Sequence, residues 1–210
     1  MFEQPLKFFV VFFVVVEPIS LIPLFTGLTS GATSDYKRRM AVKSVFVAAA
    51  ILVLFALGGA AFLDLMGISL EAFRIFGGML LFLLSLEMVF ARESGTRTST
   101  SEAAESKRRA DVSVFPLAFP FIAGPGALAT ILLWFGPLHL HSQPLLFGAY
   151  LLGVFLVLVA ALVCMLLAEP LMRVIGVTGA NVASRLLGVI LGALAVQFVL
   201  DGLRQAFNLG

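Results

Sequence analysis

The sequence predicts an all-α membrane protein, six transmembrane helices built as two inverted three-helix repeats. Three observations carry that reading. Of the 210 residues, 60% are apolar and 12% charged, with a mean hydropathy of +1.08; a soluble domain carries about twice that share of charge. Six apolar runs of roughly 20 residues match the length needed to cross a bilayer. The two halves also share landmarks, because Pro18 and Pro23 in the first run are five residues apart, as are Pro120 and Pro125 in the fourth.

The spans are predicted at 6–28, 42–63, 70–90, 113–135, 145–168 and 184–205. Between Val112 and Ala168 there is no Asp, Glu, Lys or Arg. That stretch is too long for one crossing, and Gly136-Pro137 with Gln143-Pro144 marks the turn that divides it. Residues 1–95 form the first repeat, 96–111 a cytoplasmic linker and 112–210 the second repeat. The linker region is polar and ends in Lys107-Arg108-Arg109, a positively charged loop that fixes orientation. The N-terminus lacks a cleavage pattern and is expected to lead straight into a structural span.

Lys and Arg are distributed unevenly. The loops after spans one, three and five carry eleven of them, whereas the termini and the other two loops carry Lys7, Arg74 and Arg204. The positive-inside rule puts loops 29–41, 91–112 and 169–183 in the cytoplasm and both termini outside. The charges serve topology, so no nucleic-acid partner is expected.

Arg74-Ile75-Phe76-Gly77 opens the third span, and Arg185-Leu186-Leu187-Gly188 opens the sixth. With the proline pairs, these landmarks repeat at offsets of 102 and 111 residues. Each half holds an odd number of crossings, so the second half lies upside down relative to the first, as in many secondary transporters.

The chemistry is expected at the prolines. Glu17-Pro18-Ile19-Ser20-Leu21-Ile22-Pro23 breaks the first span, and Pro120-Phe121-Ile122-Ala123-Gly124-Pro125-Gly126 breaks the fourth. Such breaks persist in a membrane where they line a cavity or are buried in protein. Freed amides suit a carboxylate and freed carbonyls suit an ammonium group or cation, so a zwitterionic small molecule fits both ends. Gly124 and Gly126 allow a ligand or a neighbouring backbone to approach. Glu17, near the bilayer centre, is expensive unless paired, and is therefore a candidate for binding or for carrying a coupling proton or sodium ion. Glu87 and Asp201 are candidates for ion coupling, and Arg74 and Arg185 for gating from opposite membrane faces. Ser20, Thr130 and Gln197 are further candidate ligand contacts or interhelical hydrogen-bond partners. Gly77-Gly78 and Gly188-x-x-x-Gly192 are expected to pack helices closely.

Other chemistry finds no support. Cys164 lies among apolar neighbours as a core residue, and His139 and His141 lack the companions of a metal site. No phosphate-binding loop, zinc-protease motif or serine-hydrolase elbow is present, so no cofactor, metal or enzymatic activity is expected.

Four segments together resemble the MarC family of bacterial and archaeal inner-membrane proteins. They are Glu17 to Phe25, Phe73-Arg74-Ile75-Phe76-Gly77-Gly78-Met79-Leu80-Leu81, Pro116 to Gly126 with its Ala-Gly-Pro-Gly, and Ser184 to Gly188. The resemblance covers nearly the whole chain. It implies kinship with LysE-like exporters and ion-coupled transport of small neutral amino acids such as glycine and alanine. The chain departs from the family pattern at Glu17, where Asp or Asn is usual, and at Ser20-Leu21, where Gly-Asn is usual. A transporter embedded in the bilayer, as monomer or homo-oligomer, is the leading reading. The alternative is a lipid-handling protein such as a polyprenyl-phosphate translocator, with Arg74 and Arg185 facing the phosphate.

Overall fold

A computed structural model describes residues 3–90, 111–138 and 143–207. The basic triplet 107–109, His139 and His141 lie outside the described residues. The chain forms α1 (Glu3–Val16), α2 (Leu21–Leu28), α3 (Ser34–Leu65), α4 (Leu70–Phe90), α5 (Ser113–Ile122), α6 (Pro125–Phe135), α7 (Pro144–Leu166) and α8 (Ala168–Ala206). Counting α1–α2 as one run, five helical stretches are long and apolar enough to cross a membrane, and the bent pair α5–α6 makes six. The protein is an all-helical, multi-pass integral membrane protein.

The two prolines of each pair do different jobs. Pro18 ends α1, because a residue before proline is driven out of the helical region. Glu17 accordingly takes a left-handed backbone, φ 55°. Short turns, Ser20 N–H to Glu17 O and Ile22 N–H to Ile19 O (both 3.1 Å), carry the chain across the gap. Pro23 breaks nothing: it occupies the first turn of α2, where an amide has no helical partner to lose.

In the fourth span, Pro125 likewise opens α6, behind an extended Gly124. The half before it is not a regular α-helix. Phe115 and Phe119, each ahead of a proline, are extended (φ −127° and −130°), and the peptide bonds to Pro116 and Pro120 are cis. Widened-turn hydrogen bonds, Leu117 N–H to Val112 O and Ala123 N–H to Ala118 O, hold this segment together. The axis turns by 53° between α5 and α6.

Two predicted loops prove largely helical. α3 starts at Ser34 rather than 42, because Thr33 accepts the Tyr36 N–H and Asp35 sits in the first turn. Its 32 residues extend about 48 Å, so the basic first turns project beyond a roughly 30 Å hydrocarbon core. Predicted loop 169–183 lies within α8, which is interrupted at Gly176 (φ +66°). Arg185 therefore sits well inside α8 instead of opening it.

α4 and α8 pack antiparallel through glycine. A Cβ on Gly78 would lie 2.9 Å from Ala195 O, one on Gly188 3.1 Å from Ser85 O, and one on Gly202 3.2 Å from Glu71 O. Numbers rise along α4 as they fall along α8. Removing side chains at these points brings the backbones together, which is how helices associate when lipid offers no hydrophobic drive. The interior between the helices is filled by Phe8, Phe12, Leu52, Leu81, Leu117, Ile131 and Leu191, all fully buried. Phe46, Leu54, Leu57 and Phe62 of α3 face outward, as lipid contact requires.

Candidate functional site

Glu17 is 2% exposed, deep in the bundle after the fourteen residues of α1. A carboxylate there needs hydrogen-bond donors in place of water. Ser20, three residues on at the start of α2, donates to Glu17 Oε1 at 2.6 Å. Ser184 of α8 donates to the same oxygen, and the two hydroxyls lie 3.0 Å apart. Glu17, Ser20 and Ser184 thus form a triangle of oxygens joining the first break to the last helix.

The second break comes up against the first. A Cβ on Gly126 would be 3.2 Å from Val15 Cγ1, in the last turn of α1, and equally close to Leu84. Val15 also lines a cavity of about 20 Å³ with Pro120, Gly124, Pro125, Gly126 and Leu84. That is room for about one water. Gly124 is required for a backbone reason: its Cβ would lie 2.1 Å from Pro120 O. The neighbour whose approach the glycine permits is the chain itself.

The remaining sequence candidates are dispersed. Pro18 is buried and Pro23 half-buried beside Glu17 and Ser20. Thr130 is buried one turn into α6, with its hydroxyl donated to Gly126 O at 2.8 Å. Gln197 is exposed and donates to Asp201 in the same helix. It stands 13 residues along α8 from Ser184, about 20 Å away. Glu87 is half-buried on α4 beside Met88, which packs on Gly188. Arg74 is half-buried near the start of α4, at the level of Gly202, and Arg185 is exposed at the far end of the pair, beyond Gly188. Sequence reasoning missed Ser184 and Val15. A serine at the head of an apolar run was the available signal for Ser184; Val15 carried none.

The two ends of the bundle differ. Where α1 and α7 begin and α6 ends, Phe8, Trp134, Phe135, Phe147 and Tyr150 interlock with ring centroids 5.0 to 5.8 Å apart. At the other end of α7, a cavity of about 590 Å³ opens among Thr26, Thr29, Asp35, Lys37, Arg38 and Glu169. Near this end Lys37 pairs with Glu169 across the halves, and Lys43 pairs with Asp111, the last residue of the predicted linker. Asp111 also accepts the Ser113 N–H (2.9 Å) and hydroxyl. The Lys43 hydrogen bond and these two donors hold its carboxyl down at about 2.

Known proteins match along nearly the whole chain. An Escherichia coli K12 relative, "UPF0056 membrane protein YhcE", is 32% identical over 96% of this chain and 92% of its own. A "UPF0056 membrane protein" of Aquifex aeolicus is 34% identical over 95% and 92% respectively. "UPF0056 membrane protein YvbG" of Bacillus subtilis is 32% identical over 99% and 97%. No solved structure matches the chain. The family model described as "MarC family integral membrane protein" matches residues 2–207, and with these relatives it establishes that the chain belongs to the MarC family.

Proposed function

We propose that this protein is a secondary transporter of small neutral amino acids of the size of glycine or alanine. One observation carries the reading. The two helix breaks meet at Val15 and Gly126 around a water-sized cavity, with a buried carboxylate two residues from Val15. A site this small suits a small solute once the halves part. Backbone ends at the two breaks offer opposite partial charges to a zwitterion. Glu17, held by two hydroxyls, is the coupling residue for a proton or a sodium ion.

The antiparallel packing of α4 on α8 supports an inverted repeat, with third helices meeting across a pseudo-two-fold axis in the membrane plane. The Lys- and Arg-rich end, with the larger cavity, faces the cytoplasm of a cell inner membrane, and the aromatic end faces out. The polyprenyl-phosphate reading loses its footing, since Arg74 and Arg185 lie at opposite ends of the α4–α8 pair, about 20 Å apart along the helices. They do not converge on one phosphate.

A ligand screen by thermal shift tests the substrate class. A ligand at about 100 times its Kd stabilises the protein by roughly 2.7 kcal/mol. Glycine and alanine are expected to raise the melting temperature, and a polyprenyl phosphate is not. The reverse pattern would sink the amino-acid assignment.

A further inference from the structure

The 590 Å³ cavity stands apart from the helix breaks. It is formed by the end of α2, the start of α3 and the α7–α8 junction, and is lined by Phe25, Thr26, Thr29, Lys37, Arg38 and Glu169 among others. Its volume falls in the usual range of small-molecule sites, about 300 to 1,000 Å³. Its walls carry both signs of charge. We propose that this vestibule is a second binding site, taking a zwitterionic solute whose carboxylate meets Lys37 and whose ammonium group meets Glu169.

The Lys37–Glu169 pair is the reason for that choice. It links α3 of the first half to α8 of the second, with side chains 23% and 55% exposed. A solute with only one charge would satisfy one partner and strand the other. A zwitterion replaces both partners at once, so the pair opens without leaving a charge unmatched. Water reaches the Glu169 side of the pair and screens it, so a solute can displace one partner from the other.

The threonines add to the case. Thr26 donates its hydroxyl to Ile22 O at 2.8 Å, and Thr29 donates to Phe25 O at 2.7 Å. With their hydrogens committed to the helix, both oxygens keep lone pairs, which accept from an ammonium group rather than donate to a carboxylate. The inner wall is Phe25, 2% exposed and five residues along α2 from Ser20. That is about 7.5 Å of helix. The vestibule therefore stands in line with the site at the breaks, and its occupancy by a zwitterion rests on the transport reading above.

Equilibrium binding of labelled glycine to the purified full-length protein tests the proposal. The variants are Lys37→Met, Glu169→Gln and Glu17→Gln, with thermal melting as a check on folding. Two glycines per chain are expected in the wild type and one in each variant. The swapped double variant, Lys37→Glu with Glu169→Lys, is expected to regain the second, because it presents the same two charges in reverse order. A single glycine lost in Lys37→Met but kept in Glu17→Gln would leave the vestibule standing and remove the site at the breaks. A single glycine that survives Lys37→Met and Glu169→Gln would overturn the vestibule alone. No glycine bound to folded wild type would overturn both.

Discussion

Ser184, on α8, donates its hydroxyl to the carboxylate of Glu17, 167 residues earlier in the chain. The break in the first span is thereby fastened to the last helix of the second half. Any motion that parts the halves at this point must release the contact, and the carboxylate then needs another partner, whether water, a proton or a cation.

Removing the hydroxyl should expose that role. Ser184→Ala leaves Glu17 with one fewer donor, at a cost of about 1 to 3 kcal/mol for a charged acceptor. Thermal denaturation should show a lower melting temperature than wild type with the helical content intact. An unchanged melting temperature would mean that water or another group takes the place of Ser184.

The glycines of the bundle should fall into two groups. Gly124→Ala drives a methyl to within 2.1 Å of Pro120 O, a backbone atom that cannot step aside. The variant is expected to lose about 3 kcal/mol or more and to accumulate poorly. Gly27→Ala, in α2, meets nothing within 4 Å. It should be neutral, or stabilising by up to about 1 kcal/mol through helix propensity. Expression level and melting temperature of the two variants, side by side, check the contrast.

The α4–α8 seam makes a third case. A methyl on Gly78 would meet Ala195 O at 2.9 Å and Val199 N at 3.0 Å. Gly78→Ala should therefore push the helices apart, costing about 1 to 3 kcal/mol. A Cys pair at Ser85 and Gly192, whose Cβ would lie 3.5 Å from that of Ser85, is within disulfide reach. Oxidative cross-linking of that pair should fall when Gly78→Ala is added.

Acid should erase one contribution to stability. Asp111 titrates at about 2 against an ordinary 3.8, held down by Lys43 and by the Ser113 hydroxyl and amide. A lowered folded-state value means that the stabilisation is complete above the ordinary value and fades as pH falls toward 2. The pair is nearly half exposed (47% and 44%), so screening limits the effect to about 1 kcal/mol. Asp111→Asn should melt below wild type at pH 7, and the gap should close near pH 2.

Much of the architecture was legible because hydropathy and proline report directly on membrane spans and helix ends. The six spans and both breaks followed from those signals. The true starts of α3 and α8 did not, since a hydropathy window measures the membrane core and is blind to a helix that continues into water. Thr33, a cap, was the local clue for α3, whereas Gly176 marks only the interruption inside α8 and not its start at Ala168. Pro23 and Pro125 looked like second breaks, yet each begins a helix; only the hydrogen-bond pattern distinguishes the two roles. At the site, Glu17 announced itself by its cost in apolar surroundings. Ser184 could not, because its partner lies far away in the chain and only the packing of α8 against α2 joins them. Gln197, equally polar, points outward to Asp201.

Counterflow of labelled glycine in proteoliposomes, comparing wild type with Glu17→Gln and Ser184→Ala, tests the central claim most directly. A transport site at the two breaks predicts glycine exchange in wild type, its loss in folded Glu17→Gln, and a reduced rate in Ser184→Ala. Exchange that proceeds at the wild-type rate in Glu17→Gln would contradict a coupling role for the buried carboxylate. Its absence from correctly inserted wild-type protein would contradict the amino-acid reading itself.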